Sequence, residues 1–151
     1  MGTQIVNTRL TTHLSDSPQA TETIAAGLAA ELQAGQCLAI DGDLGAGKTQ
    51  FVRGLLIGLG GKPRTVNSPT FVLLNIYDTG RLKLFHLDAY RIGPSDLESI
   101  GFSELLEQGG IVAIEWATRI AAALPSDCIH ITLESTGPTT RRIEIRRPTS
   151  P

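Results

Sequence analysis

The sequence predicts a single α/β domain with three layers, in which helices cover both faces of a mixed parallel and antiparallel sheet. Three observations predict this class. Short apolar runs of strand length alternate with segments whose apolar residues recur at helical spacing. Two pairs of strand-like runs are joined by short turns, which indicates antiparallel hairpins beside parallel strands. A length of 151 residues suits one domain, which we expect to span residues 1–151.

The first half of the chain predicts two strands, each followed by a helix. Residues 4–12 are β-prone and predict an edge strand. Ser15, Asp16 or Ser17 can cap the first helix, with Pro18 in its first turn, and the helix runs to about residue 33 before Gly35. Residues 38–40 form a short apolar run that predicts a buried strand. The second helix follows residue 48 and ends at residues 60–61, and its apolar stripe is Phe51, Val52, Leu55, Leu56 and Leu59.

The second half predicts two hairpins separated by a buried strand and short helices. Residues 70–77 and 82–87 read as strands joined by a turn at residues 78–81. Short helices are expected at residues 94–100 and 102–106. A wholly apolar run at residues 111–114 indicates a central strand, and residues 117–124 are helical up to Pro125. Residues 129–133 and 142–145 form the last hairpin, with its turn at residues 136–138.

Composition excludes several classes of protein. The net charge is −2, so a general attraction to nucleic acid is not expected, although four of the 13 basic residues lie at positions 141, 142, 146 and 147. No signal sequence opens the chain and no run approaches the length of a membrane span, which favours a cytoplasmic protein. Cys37 and Cys128 both lie beside apolar runs and are expected to be buried free thiols.

Residues 42–49 carry the strongest motif, because they read G-D-L-G-A-G-K-T and fit the phosphate-loop pattern G-x-x-x-x-G-K-[ST] at every fixed position. The preceding strand and the following helix are the context that this motif needs. The motif predicts a P-loop NTPase domain that binds a nucleotide with Mg²⁺, and ATP is favoured over GTP because the chain has no N-K-x-D motif. Lys48 would reach the β- and γ-phosphates, and the Thr49 hydroxyl would ligate the metal. The backbone that would surround the phosphates belongs to Gly42, Asp43, Leu44, Gly45, Ala46 and Gly47.

Hydrolysis needs acids near the metal and the γ-phosphate, and two acids end apolar strands in this chain. They are Asp88 and Glu115, which we predict to be catalytic together with Lys48. His86 lies two residues before Asp88 and either orients that carboxylate or packs in the core. Trp116, the single tryptophan, lies either in the core or near the nucleotide. Arg91 either forms a structural salt bridge with an acid, which we favour, or reaches the γ-phosphate. The polar segment at residues 67–71 is either a phosphate sensor or a plain loop.

An ordered set of motifs gives the chain a resemblance to a known family. The motifs G-D-L-G-A-G-K-T, S-P-T-F, H-L-D-A-Y-R, L-E-S-I-G-F and I-E-W occur in this order over nearly the whole chain. The chain thereby resembles the bacterial TsaE (YjeE) family of small P-loop ATPases. The resemblance implies work with TsaB and TsaD on threonylcarbamoyladenosine, the modified base beside the anticodon of tRNAs that read codons beginning with A. Contact with tRNA would be indirect, and the isolated chain is expected to be a monomer.

The resemblance also implies roles for individual residues. Residues 42–48 become the phosphate cradle, Thr49 and Glu115 the Mg²⁺ partners, and Asp88 the acid near the γ-phosphate. Trp116 becomes a neighbour of the nucleotide, and residues 68–70 match a switch-like loop. Arg141 falls where the family has an arginine that contacts the nucleotide, with Arg142 as an alternative. The chain departs from the family pattern at Gln50 and Ala117, where threonine and proline are common.

Three other functions compete with an ATPase. A GTPase usually carries an N-K-x-D motif, and none of the three lysines of the chain lies in one. A small-molecule kinase needs arginines in its lid, whereas residues 92–110 contain neither lysine nor arginine. That acidic and hydrophobic segment better suits a surface that contacts another protein. A module that binds nucleotide without hydrolysing it remains open. We therefore expect an ATPase that is slow alone and is activated by its partners.

Overall fold

Seven strands form one sheet in the computed structural model, which describes residues 8–43, 45–62 and 74–149, with only the backbone of Pro94. The strands are β1 (Thr8–Ser15), β2 (Cys37–Gly42), β3 (Leu74–Tyr77), β4 (Leu84–Asp88), β5 (Ile111–Glu115), β6 (Ile129–Ser135) and β7 (Arg141–Pro148). Their order across the sheet is β1-β7-β6-β2-β5-β4-β3. Strand β2 pairs in parallel with β5 and β6, and β4 pairs in parallel with β5, while the other pairs are antiparallel. The predicted α/β class with a mixed sheet is confirmed.

The helices of the described residues are α1 (Pro18–Ala29), α2 (Lys48–Gly58) and α3 (Phe102–Glu107), with 3₁₀ segments at Pro94–Asp96 and Ala117–Ala123. Ser17 is the cap of α1, since its hydroxyl accepts a hydrogen bond from the Ala20 amide at 3.0 Å. The prediction that α1 reaches residue 33 is wrong. After Ala29 the chain closes tight turns, and the Arg81 guanidinium donates to the carbonyls of Ala29 and Leu32.

The sheet has one hydrophobic core on each face. Leu38 and Ile40 of β2 point to the face that α1 and α2 cover, whereas Cys37 and Ala39 point to the face covered by α3 and the 3₁₀ segments. This alternation follows from the two-residue period of a strand. The first four residues of β2 and of β5 are buried on both faces of the sheet, which explains why these runs are continuously apolar. The predicted three layers are present.

Several smaller predictions can now be compared with the structure. Both predicted hairpins are antiparallel, β3 with β4 and β6 with β7, and β1 is an edge strand. Residues 4–7 and 70–73 of the predicted strands lie outside the described residues, as does the segment at residues 67–71. Cys37 and Cys128 are free and buried, as predicted. Among the described residues, no helix has the length and apolar character needed to cross a membrane.

Strand register places the carboxyl ends of three parallel strands at one edge of the sheet. Glu115 at the end of β5 lies opposite Ile40 of β2 on one side and Asp88 of β4 on the other. The loop that follows β2 therefore leaves the sheet beside both strand-end acids. Ligand sites in open α/β sheets lie at this edge.

Candidate functional site

A tight loop connects β2 to α2 and carries the phosphate-loop motif. The loop turns back on itself, since the Ala46 amide donates to the Asp43 carbonyl at 2.9 Å. Gly47 precedes the first residue of α2 with φ of 100°, a left-handed conformation that favours glycine. A side chain at position 42 would place its Cβ 2.6 Å from the Leu133 carbonyl oxygen, so this position also requires glycine. Within the described residues, no side chain caps the N-terminus of α2, so its first amides are not occupied by a capping group.

The Lys48 ammonium lies inside this loop. Its Nζ donates to the carbonyl oxygens of Gly42 at 2.5 Å and Asp43 at 3.0 Å, and it lies 4.1 Å from the centre of the Trp116 ring. Lys48 is only 6% exposed. Most lysines are exposed, whereas Lys48 is buried because the loop wraps around its side chain.

Burial lowers the pKa of Lys48, and the carboxylates of Glu115, Asp41, Asp43 and Asp88 act in the opposite direction. These four acids are the negative charges that face the ammonium. The arrangement combines one cation with a surrounding group of carboxylates at the edge of the sheet.

Thr49 and Glu115 lie together, as predicted. The Thr49 hydroxyl donates to both carboxylate oxygens of Glu115, at 3.3 Å to Oε1 and 3.2 Å to Oε2. Glu115 is 3% exposed and ends β5, while Asp88 is 6% exposed and ends the neighbouring strand. The Asp88 carboxylate accepts the Tyr90 amide at 2.9 Å. A hydroxyl and two carboxylates therefore lie beside the loop that holds Lys48.

His86 contacts Glu115 and not Asp88. Its Nε2 forms a hydrogen bond with Glu115 Oε2, while the Asp88 carboxylate bonds to a backbone amide. The hypothesis that His86 orients Asp88 is wrong. Asp88 does lie on the same strand face as His86, but the imidazole extends across to Glu115, which is two residues beyond its opposite residue Ala113 on the parallel strand β5.

Trp116 borders the site and is only half-buried. It has φ of 60° and ψ of 39°, the single positive φ of a non-glycine residue in the described part of the chain. Its amide donates to the Ile40 carbonyl at 3.0 Å, which ties it to the strand that enters the loop. The alternative that placed Trp116 in the core is not supported, since its ring covers the Lys48 ammonium.

Sequence reasoning assigned no role to three further residues near the site. The Tyr90 ring lies 4.9 Å from that of Trp116, and the Arg119 guanidinium lies 5.0 Å from the Tyr90 ring. Asp41 accepts the Thr118 amide at 3.0 Å. Asp41 could have been found by the rule that selected Asp88 and Glu115, since it also stands near the end of an apolar strand. No sequence pattern indicated the stacking of Tyr90 and Arg119.

Arg141 reaches the loop from the far side. Its Nη2 donates to the Gly45 carbonyl at 3.1 Å, and its Nη1 donates to carbonyls of the β6–β7 turn. Arg142 is paired instead with Glu134 and Glu144. The geometry therefore supports Arg141 over Arg142. Arg91 is exposed, and no ion pair joins it to another residue of the described ranges, so its predicted salt bridge is wrong.

Comparison with known proteins decides the family. The family model of TsaE, the threonylcarbamoyl adenosine biosynthesis protein, matches residues 15–143. The chain belongs to the TsaE family. It is 39% identical over 127 residues to the tRNA threonylcarbamoyladenosine biosynthesis protein TsaE of Bacillus subtilis, covering 84% of this chain and 79% of that one. It is 40% identical over 115 residues to the TsaE of Treponema pallidum, covering 76% of this chain and 84% of that protein.

The fold agrees with a solved structure. The crystal structure of YdiB from Bacillus subtilis superposes on the chain with a TM-score of 0.78 at 29% sequence identity. The superposition covers 97% of this chain and 90% of YdiB. The resemblance to the TsaE family that the sequence motifs indicated is therefore confirmed.

The chain offers an incomplete set of ligands for a metal ion. Within residues 8–43, 45–62 and 74–149, no three His, Cys, Asp or Glu side chains are grouped to hold a metal by themselves. The oxygens near the loop come from Thr49, Glu115 and Asp88. Mg²⁺ is usually held in this way, by one or two carboxylates together with substrate phosphates and water. The residues present thus fit Mg²⁺ bound with a nucleotide.

Proposed function

We propose that this chain is a Mg²⁺-dependent ATPase that serves tRNA threonylcarbamoyladenosine biosynthesis. The observation that carries the proposal is the contact of Thr49 with both oxygens of Glu115, beside the loop that encloses Lys48. This contact joins the last position of the phosphate-loop motif to a strand-end acid. Binding of phosphate alone would not require that acid, whereas hydrolysis does.

The loop supplies the groups that bind phosphate. The amides at the start of α2 point out of the helix and carry the positive end of its dipole. The Lys48 ammonium donates to two carbonyls of the loop, and phosphate oxygens would compete with these carbonyls for its hydrogens. A charge-assisted bond to phosphate is stronger than one to a neutral carbonyl, so the competition favours the phosphate.

Thr49 and Glu115 are the residues that would hold Mg²⁺, and Asp88 lies beside them at the end of β4. Bound there, Mg²⁺ would neutralise charge on the phosphate oxygens. Asp88 would orient the attacking water, because its carboxylate is fixed by the Tyr90 amide and faces the same edge of the sheet. Trp116 would exclude solvent from the ammonium that it covers.

A cavity beside the loop suits the nucleoside. It has a volume of about 260 Å³, and its lining includes Ser17, Gln50 and Arg141. Gln50 follows the motif directly, and Gly45 and Gly47 of the loop also line the cavity, so the cavity adjoins the proposed phosphate site. We favour adenine over guanine because the chain has no N-K-x-D motif.

The pathway in which the proposed activity acts is inferred from the family. The relatives from Bacillus subtilis and Treponema pallidum carry the name tRNA threonylcarbamoyladenosine biosynthesis protein. We propose that this chain acts in the same pathway in the cytoplasm, with TsaB and TsaD as protein partners and without direct recognition of tRNA.

A titration and a single-turnover assay test this proposal. Trp116 is the single tryptophan, so a change in its fluorescence on addition of ADP or ATP reports on the site. Wild-type protein should convert γ-labelled ATP to inorganic phosphate in the presence of Mg²⁺, TsaB and TsaD. Lys48→Met keeps the packing of the side-chain stem under Trp116, removes the ammonium, and should lose hydrolysis.

The outcomes separate the competing functions. Binding of nucleotide without release of phosphate, even with both partners present, would make the chain a binding module. Transfer of the label to another molecule would identify a kinase. Wild-type hydrolysis by Lys48→Met would reject the phosphate-loop assignment.

A further inference from the structure

His86 is a buried imidazole in a strand that is otherwise apolar at its centre. It is 0% exposed and lies between Phe85 and Leu87 of β4. A buried polar side chain costs free energy unless it is hydrogen-bonded. The Nε2 of His86 bonds to Glu115, and its Nδ1 has no hydrogen-bond partner among the described residues. A leucine or valine would fill the same place in the core without this cost.

Strand register explains how His86 reaches Glu115. His86 lies opposite Ala113, two residues before Glu115 on the parallel neighbour β5. The imidazole therefore meets the carboxylate from inside the sheet, while the partly buried Thr49 meets it from the loop. The Tyr77 ring, 6.2 Å from the imidazole, packs near His86 from β3.

His86 bonds to one oxygen of the Glu115 carboxylate, whereas Thr49 contacts both. Oε2 is bonded to His86 and Thr49, and Oε1 is bonded to Thr49 alone among the described residues. An ionised carboxylate only accepts hydrogen bonds, so with Glu115 ionised the imidazole carries a hydrogen on Nε2. Oε2 is thus held from within the core, and Oε1 has no bond to a core residue of the described ranges.

We propose that His86 is a positioning residue, which fixes the Glu115 carboxylate so that Oε1 faces the metal and the phosphates. The inference rests on the function proposed above, because it concerns the metal partner of that site. Groups that orient metal-binding side chains in this way change metal affinity or activity by about 10- to 100-fold when they are removed.

Three variants of the full chain test the inference. His86→Leu removes the donor and keeps an apolar side chain of similar length. His86→Gln places an amide N–H near the position of Nε2 and should restore the bond to Glu115. Leu84→Val is the matched control, because Leu84 is buried on the same face of β4 and forms no bond to Glu115.

The first readout is metal affinity, measured by the electron paramagnetic resonance of Mn²⁺ with protein saturated by a non-hydrolysable ATP analogue. His86→Leu should weaken Mn²⁺ binding by about tenfold or more. Its affinity for the analogue in EDTA should be unchanged, since the loop and Lys48 are intact. His86→Gln should recover most of the Mn²⁺ affinity, and Leu84→Val should equal the wild type whatever its melting temperature.

The second readout needs no substitution at position 86. In the ¹⁵N spectrum of labelled histidine, His86 should show the tautomer with hydrogen on Nε2, and Glu115→Gln should shift that resonance.

Wild-type Mn²⁺ affinity in His86→Leu would overturn the inference, and so would equal losses in His86→Leu and His86→Gln. A histidine resonance that does not respond to Glu115→Gln would overturn it as well. Failure of the wild type to bind the analogue would instead remove the proposed function. In that case the inference falls with it. The two failures are distinguishable, because the outcomes that overturn only the inference leave binding of the analogue by the wild type intact.

Discussion

Lys48 shows how burial and charge determine the pH range of the site. Burial lowers the pKa of its ammonium below the ordinary value of 10.5, despite the four neighbouring carboxylates. Between the lowered pKa and 10.5 the unfolded chain binds more protons than the folded protein at this position. The contribution of Lys48 to stability therefore increases as the pH rises through that window.

Nucleotide binding should respond to pH with the opposite sign. In the proposed site the charged ammonium binds phosphate, so the affinity for ADP should fall as the pH rises through the lowered pKa of Lys48. Titrations of Trp116 fluorescence from about pH 7 to about pH 10 measure this affinity. The fall should begin below pH 10.5 and should be absent in Lys48→Met. A wild-type affinity that stays constant over this range would contradict the role of the ammonium.

The two strand-end acids should separate binding from hydrolysis. Asp88→Asn and Glu115→Gln keep the shape of each side chain and remove its negative charge. Each variant should retain nucleotide affinity, because in the proposed site the phosphate contacts come from backbone amides and Lys48. Each should lose most of the single-turnover hydrolysis measured with labelled ATP. If both variants hydrolyse ATP at the wild-type rate, neither acid is catalytic.

The residues of the site differ in how far their sequence context predicts them. Asp88 and Glu115 each end an apolar run, and this local pattern is sufficient to select them. The partner of His86 is not predictable in this way, because residues two apart on one strand suggest a contact that the neighbouring strand supplies instead. The burial of Lys48 escapes prediction for a similar reason, since the path of a glycine-rich loop is not encoded in side-chain periodicity.

The close packing of α1 and α2 depends on a helical glycine. A Cβ at Gly54 would lie 2.4 Å from the Glu22 carbonyl oxygen and 2.6 Å from the Ala25 Cβ. Gly54→Ala should therefore destabilise the fold by roughly 1–3 kcal/mol, through forced separation of the helices. Gly27 of α1 is the matched control, because a Cβ at that position would meet nothing within 4 Å, and Gly27→Ala should stabilise by roughly 0.4–1 kcal/mol.

Urea unfolding at neutral pH measures the free energy of unfolding of both variants. The prediction fails if the two substitutions shift the midpoint in the same direction. Both glycines lie outside the loop and away from the strand-end acids in sequence. The nucleotide affinity of both variants at low temperature should therefore equal the wild-type value.

The β6–β7 hairpin should act on the site through Arg141. Its guanidinium donates to the Gly45 carbonyl and lines the cavity beside Gln50. Arg141→Ala should lower nucleotide affinity by about tenfold, which is the scale of one charge-assisted hydrogen bond. Arg142→Ala is the control, because its partners Glu134 and Glu144 lie on the hairpin itself and do not line that cavity. Calorimetric titration that gives equal affinities for the two variants would contradict a role of Arg141.

The boundaries of elements are less predictable than their existence. The sequence predicts a helix at residues 117–124, whereas Ala117–Ala123 is a 3₁₀ segment with a kink at Ile120. The segment begins directly after Trp116, whose left-handed conformation and bond to Ile40 determine where it starts. The bond to Ile40 of β2 depends on a neighbouring strand. A local pattern of helix-forming residues therefore does not predict where this segment begins.

At the scale of the whole molecule, sheet order is what the sequence could not supply. Strand lengths, hairpins and apolar runs are local properties, and they predict an α/β domain with a mixed sheet. The insertion of β5 between β2 and β4 is a long-range property. It places Glu115 between the loop and Asp88, and it brings His86 against Glu115.

Whole-molecule geometry also changes the expected docking surface. The sequence suggests that the segment at residues 92–110 presents acidic and hydrophobic side chains to a partner. The large apolar side chains Leu97, Phe102 and Leu105 are instead buried in the core. The exposed residues here include Asp96, Glu98 and Glu104, so this surface offers carboxylates to a partner.

We expect the isolated chain to hydrolyse ATP slowly and its partners to raise the rate. Fast phosphoryl transfer usually needs a second cation on the γ-phosphate, and an arginine in that place is worth about 10³–10⁵ in rate. Within the described residues, Arg141 is bonded to carbonyls behind the loop, Arg119 lies over Tyr90, and Arg91 is exposed. None of these three guanidiniums forms an ion pair with the strand-end acids in the part of the chain that the structure describes. A partner that covers the site would exclude water and either supply the charge or bring one of these arginines to it.

The effect is measured by the steady-state ATPase rate of the chain alone and then with TsaB and TsaD added. Lys48→Met in the same mixture is the control for hydrolysis by the partners. Equal rates with and without the partners would show that the site is complete in this chain.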